Sequence, residues 1–348
     1  MQSRRNPTKT KIKSLVVVLG LAGGSFGLFR YMSGFPEPGR VGQPLPTDYE
    51  NVHREVAERV ERDVLWLCED IGRRSSRFSV RAVQLRETLE QSILDAGFKL
   101  ESHTYKAGTN TFYNTVGVRE GRGRGTILIG THYDSYSKSL CANATATGVA
   151  TVMETLRALR NEPTEPTVIV AFFGTGEAPH TGRETMGAQR WLDDQLKEGR
   201  QIDAAYLVGS FGCFRPGEGG QNSAFPWYLS HPASSDWVGV YGAFLGRSFV
   251  TETLAAWAEA TDLPARGFAT PGWMLGVPAY DQIPFQKAGI PAVLFSDTGE
   301  NRDASLRTQF DIPYVIDFKE MARRVEGFTG MIKNITKSSV GASVVAAG

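Results

Sequence analysis

The sequence predicts an α/β protein built on a mostly parallel sheet with helices on both faces. Three observations carry this. The runs TILIG (126–130), TVIVAFF (167–173) and PAVLFS (291–296) are continuously apolar, as strands buried on both sides are. Segments with apolar residues every three or four positions alternate with these runs, which is the pattern of amphipathic helices between parallel strands. The chain has 348 residues, 41% hydrophobic and 22% charged, enough for one large domain with a real core.

The elements follow in order. Val52, Val56, Val60, Val64 and Leu67 mark the first helix of the body. A second runs from Ser79 to Ala96 and is stopped by Gly97. FKLESHTY, TFYNTVGVRE and TILIG read as strands, then 145–160 as a helix and TVIVAFF as a strand. Helical patterns recur at 185–195, 250–260 and 317–335, with AAYLVG and PAVLFS as further strands.

The N-terminus predicts a membrane segment. Residues 1–13 carry Arg4, Arg5, Lys9, Lys11 and Lys13, and the stretch from Ser14 to Phe29 is uncharged and mostly apolar. As a helix that stretch spans roughly 24 Å, short of a bilayer core of ~30 Å, with Tyr31 and Met32 to extend it. The expectation is a signal-anchor over 14–32, the N-terminus in the cytoplasm and the body periplasmic or extracellular. A cleaved signal peptide is the rival reading. Gly20, Gly23 and Gly24 in the helix permit close contact with other membrane helices, which points to a place in a membrane complex. Residues 33–48, rich in Pro and Gly, read as a stiff linker, 49–336 as the α/β domain and 337–348 as a flexible tail. A net charge of +1 gives no basic face for nucleic acid.

Three segments with chemical side chains lie just after predicted strands, where ligands collect in such sheets. TILIG leads to His132 and Asp134, VAFF to Glu177, and PAVLFS to Asp297, Asp303, Arg307 and Asp311. H-x-D supplies a metal ligand and a carboxylate to orient it, Asp134 serving His132. His180 and Asp281 join the same cleft, Asp281 as a loop-holding residue. Cys141 and Cys213 are a candidate disulfide, with free thiols as the default. FPWYL (225–229), Trp237 and Trp273 are read as groove lining or buried packing.

The order of segments is more specific than any one of them. GTILIGTHYDS, CANATATGVATVMETLRAL, PTVIVAFFGTGEAP, AAYLVGSFG, YDQIPFQKAGIPAVLFSDTG and LRTQFDIPYVIDFKEMARRV together resemble the zinc-dependent aminopeptidases of peptidase family M28, whose relatives include glutaminyl cyclases and the peptidase-like domain of the transferrin receptor. The resemblance covers about 50–335 and implies a three-layer α/β/α sandwich with a mixed, mainly parallel sheet of the zinc-exopeptidase type.

It also implies a site of five metal-ligand positions and a glutamate base. Two ligand positions keep their residues, His132 and Glu177. The bridging aspartate position holds Ala144, the next acidic position Tyr206, the last histidine position Arg307, and the general-base position Gly176. Alanine has no donor atom, and arginine stays protonated and repels a metal. The expectation is therefore a membrane-anchored pseudo-peptidase that needs no cofactor and acts as a binding or scaffold subunit for a protein partner, with Arg307 paired to Glu177 and reaching Asp134. The alternative is an active metallo-aminopeptidase or related amide hydrolase with zinc in a reduced or rebuilt site.

Overall fold

The computed structural model describes residues 22–37, 53–75, 79–215, 219–223, 229, 231–271 and 280–338. The basic segment, residues 14–21 of the expected anchor, most of the linker, Trp273, Phe225 to Tyr228 and the tail beyond 338 lie outside them. The first described element is helix α1 at 22–33. Among the described residues no helix is long and apolar enough to cross a membrane.

The body then runs α2 (Arg54–Leu65, continued by a wide turn at Trp66–Ile71), α3 (Ser79–Asp95), β1 (Lys99–Ala107), β2 (Asn110–Arg119), β3 (Thr126–His132), α4 (Thr147–Ala158), β4 (Thr167–Phe173) and α5 (Gly187–Lys197). It continues with β5 (Ala204–Val208), β6 (Val238–Ala243), α6 (Arg247–Ala260), β7 (Ala265–Thr270), α7 (Gln282–Lys287), β8 (Ala292–Ser296) and α8 (Phe318–Thr336). Asp317 caps α8, its side chain accepting from Glu320 N at 3.1 Å.

The strands form one sheet in the order β1-β2-β4-β3-β5-β8-β6-β7. The contacts β4-β3, β3-β5, β5-β8 and β6-β7 are parallel, while β1-β2, β2-β4 and β8-β6 are antiparallel. Alternate residues of each strand feed two cores. Ile127 and Ile129 pack with Val60, Leu85, Val149, Leu254 and Val325 from α2, α3, α4, α6 and α8. Leu128 packs on the other side with Trp191, Leu192 and Phe285 from α5 and α7. This is the expected three-layer sandwich.

β6 and β7 escaped the sequence reading. Their runs, VGVYGA and ARGFAT, are interrupted by glycine. Those glycines let α6 lie close to the sheet. A Cβ at Gly242 would stand 2.3 Å from Val250, and one at Gly267 2.7 Å from Leu254. Trp237 resolves as packing, since it is fully buried in the second core.

Because β3, β4, β5 and β8 are parallel, their carboxyl ends open on the same edge of the sheet. That edge holds the candidate site.

Candidate active-site remnant

His132 is the last residue of β3, level with Phe173 at the end of β4. The loop after β4 turns sharply and brings Gly176 and Glu177 back over β3. Asp134 holds that turn by accepting from Gly176 N at 2.7 Å and Glu177 N at 3.1 Å. Asp134 therefore orients a loop and not the imidazole, contrary to the sequence expectation. The imidazole is oriented by Asp281, whose Oδ2 accepts from His132 Nδ1 at 2.8 Å, with both side chains buried. The sequence reading had given Asp281 only a loop-holding role. The two residues are remote in the chain, so no local motif could pair them.

From there charges alternate across the cleft. His132 Nε2 lies 3.6 Å from Glu177 Oε1. Arg307 Nε donates to both Glu177 oxygens, at 2.9 and 2.8 Å. Arg307 Nη1 donates to Glu300 at 2.7 Å on the exposed side. Tyr280 covers the array, stacking on His132 at 5.6 Å between centroids and lying 4.9 Å from the Arg307 guanidinium carbon. The array reads Asp281, His132, Glu177, Arg307, Glu300, with signs alternating along it. The pairing of Arg307 with Glu177 is thus present, but Arg307 makes no bond to Asp134.

The electrostatics follow from these neighbours. Burial disfavours the Glu177 carboxylate, but His132 and Arg307 hold its pKa down to about 2. Burial likewise opposes the His132 imidazolium, yet the charge of Asp281 and its hydrogen bond raise its pKa to about 10. Burial also works against the Arg307 cation, and Tyr280 and Glu177 more than offset it, so its pKa is raised. At neutral pH His132, Glu177 and Arg307 are therefore all charged.

The other sites of substitution are filled rather than open. Ala144 is buried in a small apolar cluster with Cys141 and Leu306, against Tyr136. At Gly176 a Cβ would stand 2.3 Å from Cγ of His132, so the ring occupies the space a longer side chain would need. Arg307 adopts a positive φ of 61°, and its N–H donates to Asp311 Oδ2 at 2.9 Å. Asp311 also accepts from Asn143 N and Ala144 N at the start of the helical turn before α4. Burial pushes both Asp134 and Asp311 up to about 6.

Two sequence placements need correction, those of Tyr206 and His180, while the cysteines keep their default reading. Tyr206 does not face the cleft. It pairs with Ile129 in mid-sheet, and its ring packs on Phe249 of α6 in the first core. Extending that register brings Gly209 level with His132, followed by buried Ser210, whose hydroxyl pairs with Ser296 at 3.2 Å. The strand end therefore carries no acid on either placement. His180 turns away from the array, with Nδ1 2.9 Å from Thr185 Oγ1 and its ring edge against Phe112. Cys141 and Cys213 are free thiols, both buried, and burial pushes each up to about 12. Cys141 Sγ is engaged with Tyr136 N, while Cys213 sits against Asp297.

Tyr280 and Glu300 were missed. Tyr280 is the residue before Asp281, and Glu300 lies in the acidic run after β8, but nothing local distinguishes them from ordinary loop residues.

Residues 114–224 match Peptidase family M28. Over that stretch the chain is similar to that family. Among curated relatives it is similar to the protein YfbL of Escherichia coli (strain K12), at 23% identity over 80% of this chain and 88% of that one. Among solved structures it is similar to LapB from Legionella pneumophila, with 15% identity, TM-score 0.64, and 90% of this chain and 81% of that one covered. It is also similar to the zinc aminopeptidase BSAP of Bacillus subtilis, at 12% identity and TM-score 0.64 over 82% and 97% of the two chains. The glutaminyl cyclase of Porphyromonas gingivalis matches at 17% identity and TM-score 0.59 over 81% and 98%. These likenesses establish the aminopeptidase-like fold.

Zinc, the ion named for one of those relatives, does not fit the residues of this cleft. Both Glu177 oxygens accept from Arg307. His132 Nε2 faces Glu177 Oε1 at 3.6 Å, and that carboxylate is closed by a guanidinium. The Arg307 guanidinium bonded to Glu177 repels a cation brought to that carboxylate. Among the described residues no three His, Cys, Asp or Glu side chains are grouped to hold a metal ion.

Proposed function

We propose that this family M28 protein is a non-catalytic member, a pseudo-peptidase that serves as a binding or scaffold subunit at a membrane. The observation that carries this is the Arg307 guanidinium bonded to both oxygens of Glu177 inside the cleft. Hydrolysis of an amide needs an activated water and a base to take its proton. The base position is Gly176, closed by the His132 ring, and the two acid-bearing neighbours are spent on other contacts: Asp134 on backbone N–H groups and Glu177 on Arg307. What the cleft offers instead is a floor charged at His132, Glu177 and Arg307, with exposed aromatic side chains in the segment that follows Arg307. Phe310 and Tyr314, in the loop after Arg307, are 64% and 93% exposed. Aromatic side chains of this kind are enriched where a protein partner docks. The anchor and the orientation, with the body outside the cytoplasm, rest on the cations before Ser14 and the apolar stretch after them.

Metal content tests the reading. The full chain, purified in mild detergent and dialysed against trace zinc, is expected to hold none, to show no shift in melting temperature with chelator, and to release no amine from aminopeptidase substrates. One tightly bound zinc per chain together with turnover would overturn it. Purification from membranes is expected to bring a partner with it, and a lone monomer would remove the scaffold role.

A further inference from the structure

α1 does not lead into a free tether. Met32 and Phe35, at and just beyond its end, are buried in the two cores of the body. Tyr31 packs against Phe244, with ring centroids 5.0 Å apart and its hydroxyl donating to Phe244 O at 3.2 Å. Arg247, the first residue of α6, donates to the carbonyls of Tyr31 and Gly34, and its guanidinium lies over the Phe35 ring at 3.9 Å. The helix is thus clamped to the corner between β6 and α6. At that corner Leu245 is 87% exposed, beside Tyr31 and Phe244, and α1 itself exposes Phe26 at 67%.

Topology fixes where this corner lies. β6 runs antiparallel to β8, Gly239 opposite Ser296 and Gly242 opposite Val293. The end of β6 therefore points to the edge of the sheet opposite the remnant cleft.

We infer that the β6–α6 corner rests on the lipid bilayer, with Leu245 inserted among the headgroups, so that the remnant cleft and its aromatic rim face away from the membrane. This deepens the anchored reading and rests on it. The occupant is lipid because the apolar surface is continuous with α1: Phe26 and Leu28 are exposed on the helix, Arg30 and Tyr31 stand where the apolar stretch ends, and Leu245 directly follows Phe244, on which Tyr31 packs. Arg and Tyr at the end of an apolar helix are typical of the interface, where an apolar side chain sinks roughly 5–10 Å into the headgroup boundary. A clamped helix end, unlike a long linker, transmits one orientation to the whole body.

The test places an environment-sensitive maleimide dye at Leu245→Cys or, as control, at Tyr314→Cys in the full chain. The native cysteines are buried, and the unsubstituted chain measures their background labelling. The chain is reconstituted in phosphatidylcholine–phosphatidylglycerol vesicles carrying spin-labelled lipid. The expected result is a blue shift and loss of emission at 245, with neither at 314. If the protein floats with the vesicles but the dye at 245 is as wet as that at 314, the docked orientation is wrong while the anchor stands. If 245 is dry but unquenched by spin-labelled lipid, another protein covers it and the lipid contact is wrong. If the full chain does not float with vesicles, the anchor reading falls and this inference with it.

Discussion

Glu177 on one side, and Asp134 and Asp311 on the other, are buried carboxylates on the same edge of the sheet, yet they are satisfied in different currencies. Glu177 faces side-chain cations, His132 and Arg307, and its pKa is held down to about 2. Asp134 and Asp311 accept only backbone N–H groups, and burial leaves them pushed up to about 6. The difference teaches how one sheet edge can hold several buried acids by two different means. The loops are gripped by the backbone-binding acids, which need no ion. The charge of Glu177 is balanced by an arginine and a histidine.

The comparison breaks most readily at Arg307. Arg307→Met leaves Glu177 buried with one cation fewer and is expected to destabilise the fold by about 3 kcal/mol, the lower end for breaking a buried pair because Arg307 is 23% exposed. Urea unfolding measures it, and adding Glu177→Gln should recover most of the loss. A loss below ~1 kcal/mol would class the pair with surface ion pairs. Next, Asp311→Ala strands the N–H groups of Arg307, Asn143 and Ala144 and is expected to cost about 2 kcal/mol in the same assay.

Gly176→Ala sets a Cβ against the His132 ring and is expected to cost ~1–2 kcal/mol by overpacking. Gly176→Glu should yield no peptidase activity, and measurable turnover from it would show that the cleft can still accept a base. Titration by NMR sharpens the contrast with smaller effects. A depressed Glu177 stabilises the fold above its unfolded pKa of ~4.3, a contribution lost as pH falls through about 2. A raised His132 contributes fully below ~6.5, and that contribution is lost as pH rises through about 10. Asp134 and Asp311 act with the opposite sign to Glu177: the fold binds their protons more tightly than the unfolded chain does, so stability falls as pH rises from ~3.9 to about 6. Glu177 and Asp134 titrating together would erase the distinction. The smallest change is expected from Tyr314→Ala, within ~0.5 kcal/mol of the parent, with any effect confined to partner capture.

Much of the fold was legible because continuous apolar strands and helical periodicity are local signals, and the core strands from β3 to β5 and β8 follow them. β6 and β7 were hidden because close packing under α6 demanded glycines that break a strand pattern. The site was legible where the signal was a missing functional group. Ala144 and Gly176 cannot act as ligand and base wherever they lie. It was misread where the answer depended on facing. Tyr206 falls in a plausible motif frame but points into the core, and Asp134 sits in H-x-D yet serves the next loop instead of the imidazole.

By itself the sequence determined which atoms this cleft lacks, since a methyl group, a glycine and a guanidinium cannot become metal ligands in any fold. It also left a glutamate, Glu177, in the loop after β4. Only the tertiary structure decided which partners share that charge. Asp281, Tyr280, Glu177, Arg307 and Glu300 come from three loops that meet at the ends of parallel strands, and His132 and Asp281 are 149 residues apart. Contacts over such distances are set by sheet order and loop packing, which no local spacing encodes.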